Sequence, residues 1–84
     1  MDHWKVKYMG ETIKRLRMRN YFSQEDLAWR SFLDRKTINR LETNQQEPLA
    51  STISALAAAF EMDLSEFMKE VEDDILRKKD SKNK

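Results

Sequence analysis

The sequence predicts an all-α domain of five helices, and three observations carry that prediction. One Gly and one Pro interrupt 84 residues that are otherwise rich in Ala, Leu, Met, Glu, Lys and Arg, the residues that lose least on entering a helix. No run alternates β-branched residues over the length of a strand, so no sheet is expected. Between residues 23 and 41 the segment SQEDLAWRSFLDRKTINRL reads as two short capped helices joined by a tight turn, and the remaining elements are arranged around it.

Residues 1–9 (MDHWKVKYM) alternate Trp4, Val6 and Tyr8 but have no strand to pair with. They are read as an arm whose aromatics pack on the helical body, with His3 a solvated terminal residue. The first helix, over 10–20, buries Ile13 and Leu16 and turns Lys14, Arg15 and Arg19 outward. Phe22 then plugs the core. The second helix opens at Ser23, whose hydroxyl can accept a hydrogen bond from a first-turn amide, with Asp26 as the carboxylate half of a capping box. Leu27 and Ala28 face inward; Trp29 is placed on the rim of the core, with a partner contact as the alternative. The third helix opens at Asp34 by the same logic and ends near Thr43. It puts Ile38 and Leu41 on one face and leaves Arg35, Lys36, Thr37, Asn39 and Arg40 on the others. Those five side chains suit the base edges and phosphates of a DNA groove.

The polar loop TNQQE, 43–47, ends at Pro48, which suits a helix start nearby. A fourth helix over 49–60 carries Ala50, Ile53, Leu56, Ala57 and Phe60 on one face. Asp63 and Glu66 open a fifth, along which Leu64, Phe67, Met68, Val71, Ile75 and Leu76 recur at helical spacing. The stripe runs past the body expected of so small a domain. Phe67, Val71 and Ile75 are therefore assigned to an interface with a second copy of the chain, a frayed tail being the alternative. The domain is set at 10–76, and the basic stretch 77–84 (RKKDSKNK) is expected to be disordered.

A formal charge of +1 conceals segregation: residues 1–45 hold ten Lys/Arg against six Asp/Glu, residues 46–76 one against eight, and residues 77–84 five against one. The basic first part contains the proposed reading helix, and the acidic part is expected to face away from DNA. With no Cys and one His, thiolate metal sites and disulfides are excluded and no metal or cofactor is expected. No apolar run approaches a membrane span and the charged N-terminus lacks a signal-peptide core, so the expected location is the cytoplasm.

The spacing of Gln24, Leu27, Ala28, Ile38, Leu41 and Glu42 resembles the helix-turn-helix of the lambdoid phage repressor and Cro family, also called the xenobiotic-response-element family. The likeness extends through GETIKRLR at 10–17 and through residues 48–68. It implies a lambda-repressor-like fold with the helix-turn-helix at the second and third helices. It implies base contacts from Arg35 and Lys36, with Arg40, Thr37 and Asn39 beside them, because the N-terminal end of such a helix enters the major groove. It further implies phosphate contacts from Arg17, Ser23, Gln24, Asn44, Gln45 and Gln46, and an ion pair between Arg17 and Glu42. Tyr21, Phe32, Asn44 and Glu61 stand where the family often has Gly.

The function these features imply is sequence-specific, double-stranded DNA binding by a transcriptional regulator, a homodimer on a palindromic operator, similar to phage repressors and to the small controllers of restriction-modification systems. The sequence does not choose between repression and activation, or between the fifth helix and the arm as the dimer contact. The alternative is a protein-interaction module, an antitoxin or adaptor with secondary DNA binding. An enzyme is not expected, since the parts for acid-base or nucleophilic chemistry are missing, and no small-molecule ligand is evident.

Overall fold

Side-chain hydrogen bonds mark where three of the five helices begin. In the computed structural model, which describes residues 7–82, the five are α1 (Gly10–Arg19), α2 (Gln24–Ser31), α3 (Arg35–Glu42), α4 (Ala50–Ala59) and α5 (Leu64–Lys82), with no strand among the described residues. The Ser23 hydroxyl accepts the Asp26 N–H at 3.0 Å while the Asp26 carboxylate accepts the Ser23 N–H at 2.8 Å, a complete capping box. Asp34 accepts the Thr37 N–H at 2.7 Å, and Glu66 accepts the Asp63 N–H at 3.0 Å. Each of the first four helices ends on a left-handed residue: Tyr21, Phe32, Asn44 and Glu61 have φ of 58°, 60°, 58° and 57°. These are the four positions at which the resemblance places Gly.

The core is drawn from all five helices. Ile13 and Leu16 of α1, Leu27 of α2, Ile38 and Leu41 of α3, and Ile53 and Leu56 of α4 are at most 1% exposed. The rings of Phe22, Phe60 and Phe67 stack in series, with centroids 6.4 and 6.3 Å apart. Met9, assigned to the arm, belongs to this core, whereas Tyr8 is half exposed and Trp4 and His3 lie outside the described residues. Ala50, expected on the inner face of α4, is exposed, and Pro48 is buried.

α5 departs most from expectation. Phe67 and Val71, assigned to a dimer interface, are fully buried within the single chain, and Ile75 packs half-buried against the same core. The reason is that α1 and α4 both pack against α5. Thr12 donates its hydroxyl to Asp74 at 2.8 Å, and Arg15 bridges Asp74 and Glu70 at 3.0 and 3.1 Å. Arg15 and Arg19, expected to face outward, thus point at α5, where Arg19 also reaches Glu70 at 3.4 Å. Helix continues through Lys82 where a disordered tail was expected from residue 77. Arg77 pairs with Asp74 at 3.3 Å and Lys78 reaches back to Glu11 at 3.0 Å. Pairs this exposed contribute at most about 1 kcal/mol each, so the buried Phe67 and Val71 hold the helix and the charges align it.

Phe67→Ala is expected to lower the unfolding free energy by about 3–5 kcal/mol. Denaturant midpoints measured over a range of protein concentrations should fall by a constant amount, as for a residue inside one chain; an effect confined to low concentration would return Phe67 to an interface.

The caps also carry a pH dependence. The Ser23 N–H and hydroxyl hold the Asp26 carboxyl below the usual carboxylate range, and the side chain and N–H of Thr37 do the same for Asp34. A depressed folded pKa contributes stability that is present above the unfolded value and lost as pH falls through the folded one. Melting temperatures are therefore expected to be insensitive to these two groups between pH 7 and about 5 and to decline below about pH 4. Asp26→Asn with Asp34→Asn, which keeps an uncharged cap oxygen at each site, should make that decline shallower.

Candidate nucleic-acid interface

α2 and α3 meet through apolar side chains and a short left-handed turn. Ala28, 5% exposed, offers little bulk where the two helices approach, and the buried Ser31 hydroxyl is satisfied by the Leu27 carbonyl at 2.7 Å. The Leu33 N–H returns to the Ala28 carbonyl at 2.9 Å, closing α2 across Phe32. With Ile38 and Leu41 buried, α3 has one remaining orientation. Arg35, Lys36, Asn39 and Arg40 are exposed along its outer face, and Thr37 is half-buried.

Behind this face, Glu42 joins three helices. Arg17 of α1 donates to its two carboxylate oxygens from Nε at 2.6 Å and from a terminal nitrogen at 3.2 Å, and the other terminal nitrogen donates to the Phe22 carbonyl at 2.8 Å. Gln24 of α2 donates its side-chain amide to Glu42 at 3.1 Å. The Glu42 side chain is 3% exposed and that of Arg17 14%, so the pair is largely removed from water. Arg17 and Glu42 are therefore brought together, and most of the Arg17 donors are engaged within the fold. The Gln24 amide likewise turns inward. A shallow depression at the start of α2, lined by Arg17, Ser23, Gln24, Glu25 and Arg35, lies beside the outer face of α3.

Of the loop residues, Asn44, Gln45 and Gln46 are all exposed, and Asn44 also gives its side-chain oxygen to the Gly10 N–H at 2.9 Å. That bond joins residues 34 positions apart, and nothing in local sequence signals it. Trp29, expected on the rim of the core, is 82% exposed instead, because α2 turns it away from the body. Arg30 lies over the Phe22 ring at 4.3 Å.

The cations thus divide in two. Arg15, Arg17 and Arg19 of α1 are paired with carboxylates, while Arg35, Lys36 and Arg40 of α3 make no ion pair among the described residues. A solvated cationic ridge on a helix backed by a packed body is a surface for a polyanion. No group of His, Asp or Glu able to hold a metal ion occurs among the described residues.

Comparison with known proteins agrees with this geometry. A family model described as helix-turn-helix matches residues 13–67. No curated protein matches the chain. Among solved structures, the restriction-modification controller protein C.AhdI from Aeromonas hydrophila is 32% identical, with a TM-score of 0.68, covering 79% of this chain and 98% of that one. The wild-type restriction-modification controller protein C.Esp1396I is 25% identical with a TM-score of 0.79, covering 90% and 99%. The clp gene regulator ClgR from Corynebacterium glutamicum shares the fold at 13% identity, with a TM-score of 0.85 over 94% and 84%. The chain belongs to the helix-turn-helix family of DNA-binding regulators, of the xenobiotic-response-element type.

Proposed function

We propose that this protein is a sequence-specific transcriptional regulator that binds a palindromic operator as a homodimer, α3 lying in the major groove. The observation that carries the reading is the unpaired cationic face of α3, set against the paired arginines of α1. Arg35 and Lys36, in the first turn, are the principal base contacts, Arg35 suiting the O6 and N7 of guanine; Arg40 reads a further base, with Asn39 and the half-buried Thr37 as lesser contributors. Ser23, Gln45, Gln46 and the exposed start of α2 meet phosphates, where the positive end of a helix adds to them. Arg17 and Gln24 act there with the N–H groups that Glu42 leaves over.

Two such helices related by a two-fold axis would enter successive major grooves about 34 Å apart, so half-sites should recur at one helical turn. The single chain encloses Phe67 and Val71, so a dimer contact on α5 draws on the residues still accessible there, Leu64, Met68, Ile75 and the 45% exposed Leu76. The same enclosure takes Phe67 and Val71 out of the apolar stripe on which an interaction-module function would rest. The likeness to restriction-modification controllers, at 32% identity to one of them, supports a regulator that acts at DNA. Among the described residues no helix is long and apolar enough to cross a membrane, and a place in the cytoplasm, at the DNA, suits the proposed role.

Selection of bound duplexes from a random pool is expected to return a palindromic consensus, and a set of winners without shared sequence would remove the function proposed. On the selected operator, Arg35→Ala should reduce affinity by about tenfold or more relative to a scrambled duplex, the worth of one good base contact. Its melting temperature should stay at the parent value, since the side chain is exposed.

A further inference from the structure

α1 begins without a cap of its own. Its N-cap residue is Met9, which has no side-chain oxygen, and Gly10 is buried, so the first amide of the helix would be an unsatisfied buried donor. The partner comes from across the fold: Asn44 accepts the Gly10 N–H at 2.9 Å. The backbone of the same Asn44 closes α3. At φ 58° it donates its N–H to the Leu41 carbonyl at 3.2 Å, and the Gln45 N–H returns to the Arg40 carbonyl at 2.9 Å, the paired bonds of a Schellman ending. One residue therefore terminates the reading helix and starts the helix that backs it.

The approach is as close as chemistry allows. A Cβ at Gly10 would lie 2.5 Å from the Leu41 carbonyl oxygen and 2.6 Å from that of Glu42, both backbone atoms. α3 is consequently held to α1 at two points, Arg17 to Glu42 and Gly10 to Asn44. On α1 those points are seven residues, about 10 Å, apart. One point of attachment would let the C-terminal end of α3 pivot; two fix its direction. Arg40, whose carbonyl closes the Schellman ending, is the base-reading side chain nearest the second point, whereas Arg35 lies at the other end under the Asp34 cap.

We infer that Asn44 is a positioning residue, and not a phosphate contact: it fixes the pitch of α3 against α1 and so sets selectivity at the base pair that Arg40 meets. The inference rests on the DNA-reading function proposed above and assigns a residue to its specificity. The juxtaposition that carries it is an asparagine in the left-handed turn after α3 whose side chain caps α1.

Asn44→Gly suits the left-handed turn and removes only the cap, and Gly10→Ala forces the same contact from a buried position that cannot touch DNA. For each folded variant, preference for the operator over a scrambled duplex is expected to fall about threefold to tenfold, at most the worth of one base contact. The slope of log affinity against log salt should stay at the parent value. In an Arg40→Ala background, Asn44→Gly should cost little further preference, while Asn44→Asp, which retains the acceptor oxygen, should keep the parent preference. Equal weakening of both duplexes, cognate and scrambled alike, would mark a phosphate contact and overturn the assignment, as would unchanged preference in Asn44→Gly. A parent chain that prefers no duplex would instead overturn the DNA-reading function itself, before any variant is compared.

Discussion

A single carboxylate constrains the arrangement of the helix-turn-helix. Glu42 is nearly sealed from water, and a charge in that position is tolerated only where donors surround it. α1 supplies a forked guanidinium and α2 an amide, so the end of α3 can sit in one place relative to both. Such a pair adds little net stability, because desolvation offsets most of the attraction; removing one partner leaves an uncompensated charge at a cost of about 3–5 kcal/mol. What the interaction supplies is orientation. Its consequence is a division among the polar side chains, in which Arg17 and Gln24 are largely committed inward while Arg35, Lys36 and Arg40 face solvent.

The same helix that grips Glu42 resolves the charge segregation. α1 turns Arg17 to α3, and from its other side sends Arg15, Arg19 and the Thr12 hydroxyl to the carboxylates of α5. Glu70 and Asp74 are thereby partly neutralised on the side of the molecule that α1 and α5 share. A formal charge near zero thus coexists with a cationic reading face, because the acid and the base that cancel in the sum are paired away from it.

Most of this was legible in the sequence where the physics is local. Ser23 with Asp26, and Asp34, mark helix starts through hydrogen bonds spanning three residues, and the helical spacing of Ile38 and Leu41 fixes which side of α3 is buried. What the sequence does not show is non-local. A stripe of Phe67, Val71 and Ile75 shows that one face of α5 is covered but not by what, and α1 and α4 pack against it, enclosing Phe67 and Val71 within the single chain. Asn44 shows a loop residue able to donate and accept, but not that its oxygen is taken by an amide far away in sequence. Trp29 is large and apolar, which favours burial on average, yet its position on α2 leaves it in solvent.

The placement of the one glycine makes the distinction between conformation and room concrete. Four residues adopt left-handed backbone and none is Gly, although the conformation costs an L-residue about 1–2 kcal/mol. That cost is local. Phe32 meets it with its ring 95% exposed, while its neighbour's hydrogen bond to Ala28 still closes α2 and preserves the turn into α3. Gly10 has ordinary helical backbone, so it is needed for a different reason: a methyl group there would strike two backbone oxygens at the end of α3. A side chain in a left-handed turn can swing into water, whereas a Cβ between two helices can be accommodated only by moving one of them. In this fold one of those two helices bears Arg35, Lys36 and Arg40, so the absence of a side chain at Gly10 lets α3 lie directly against α1.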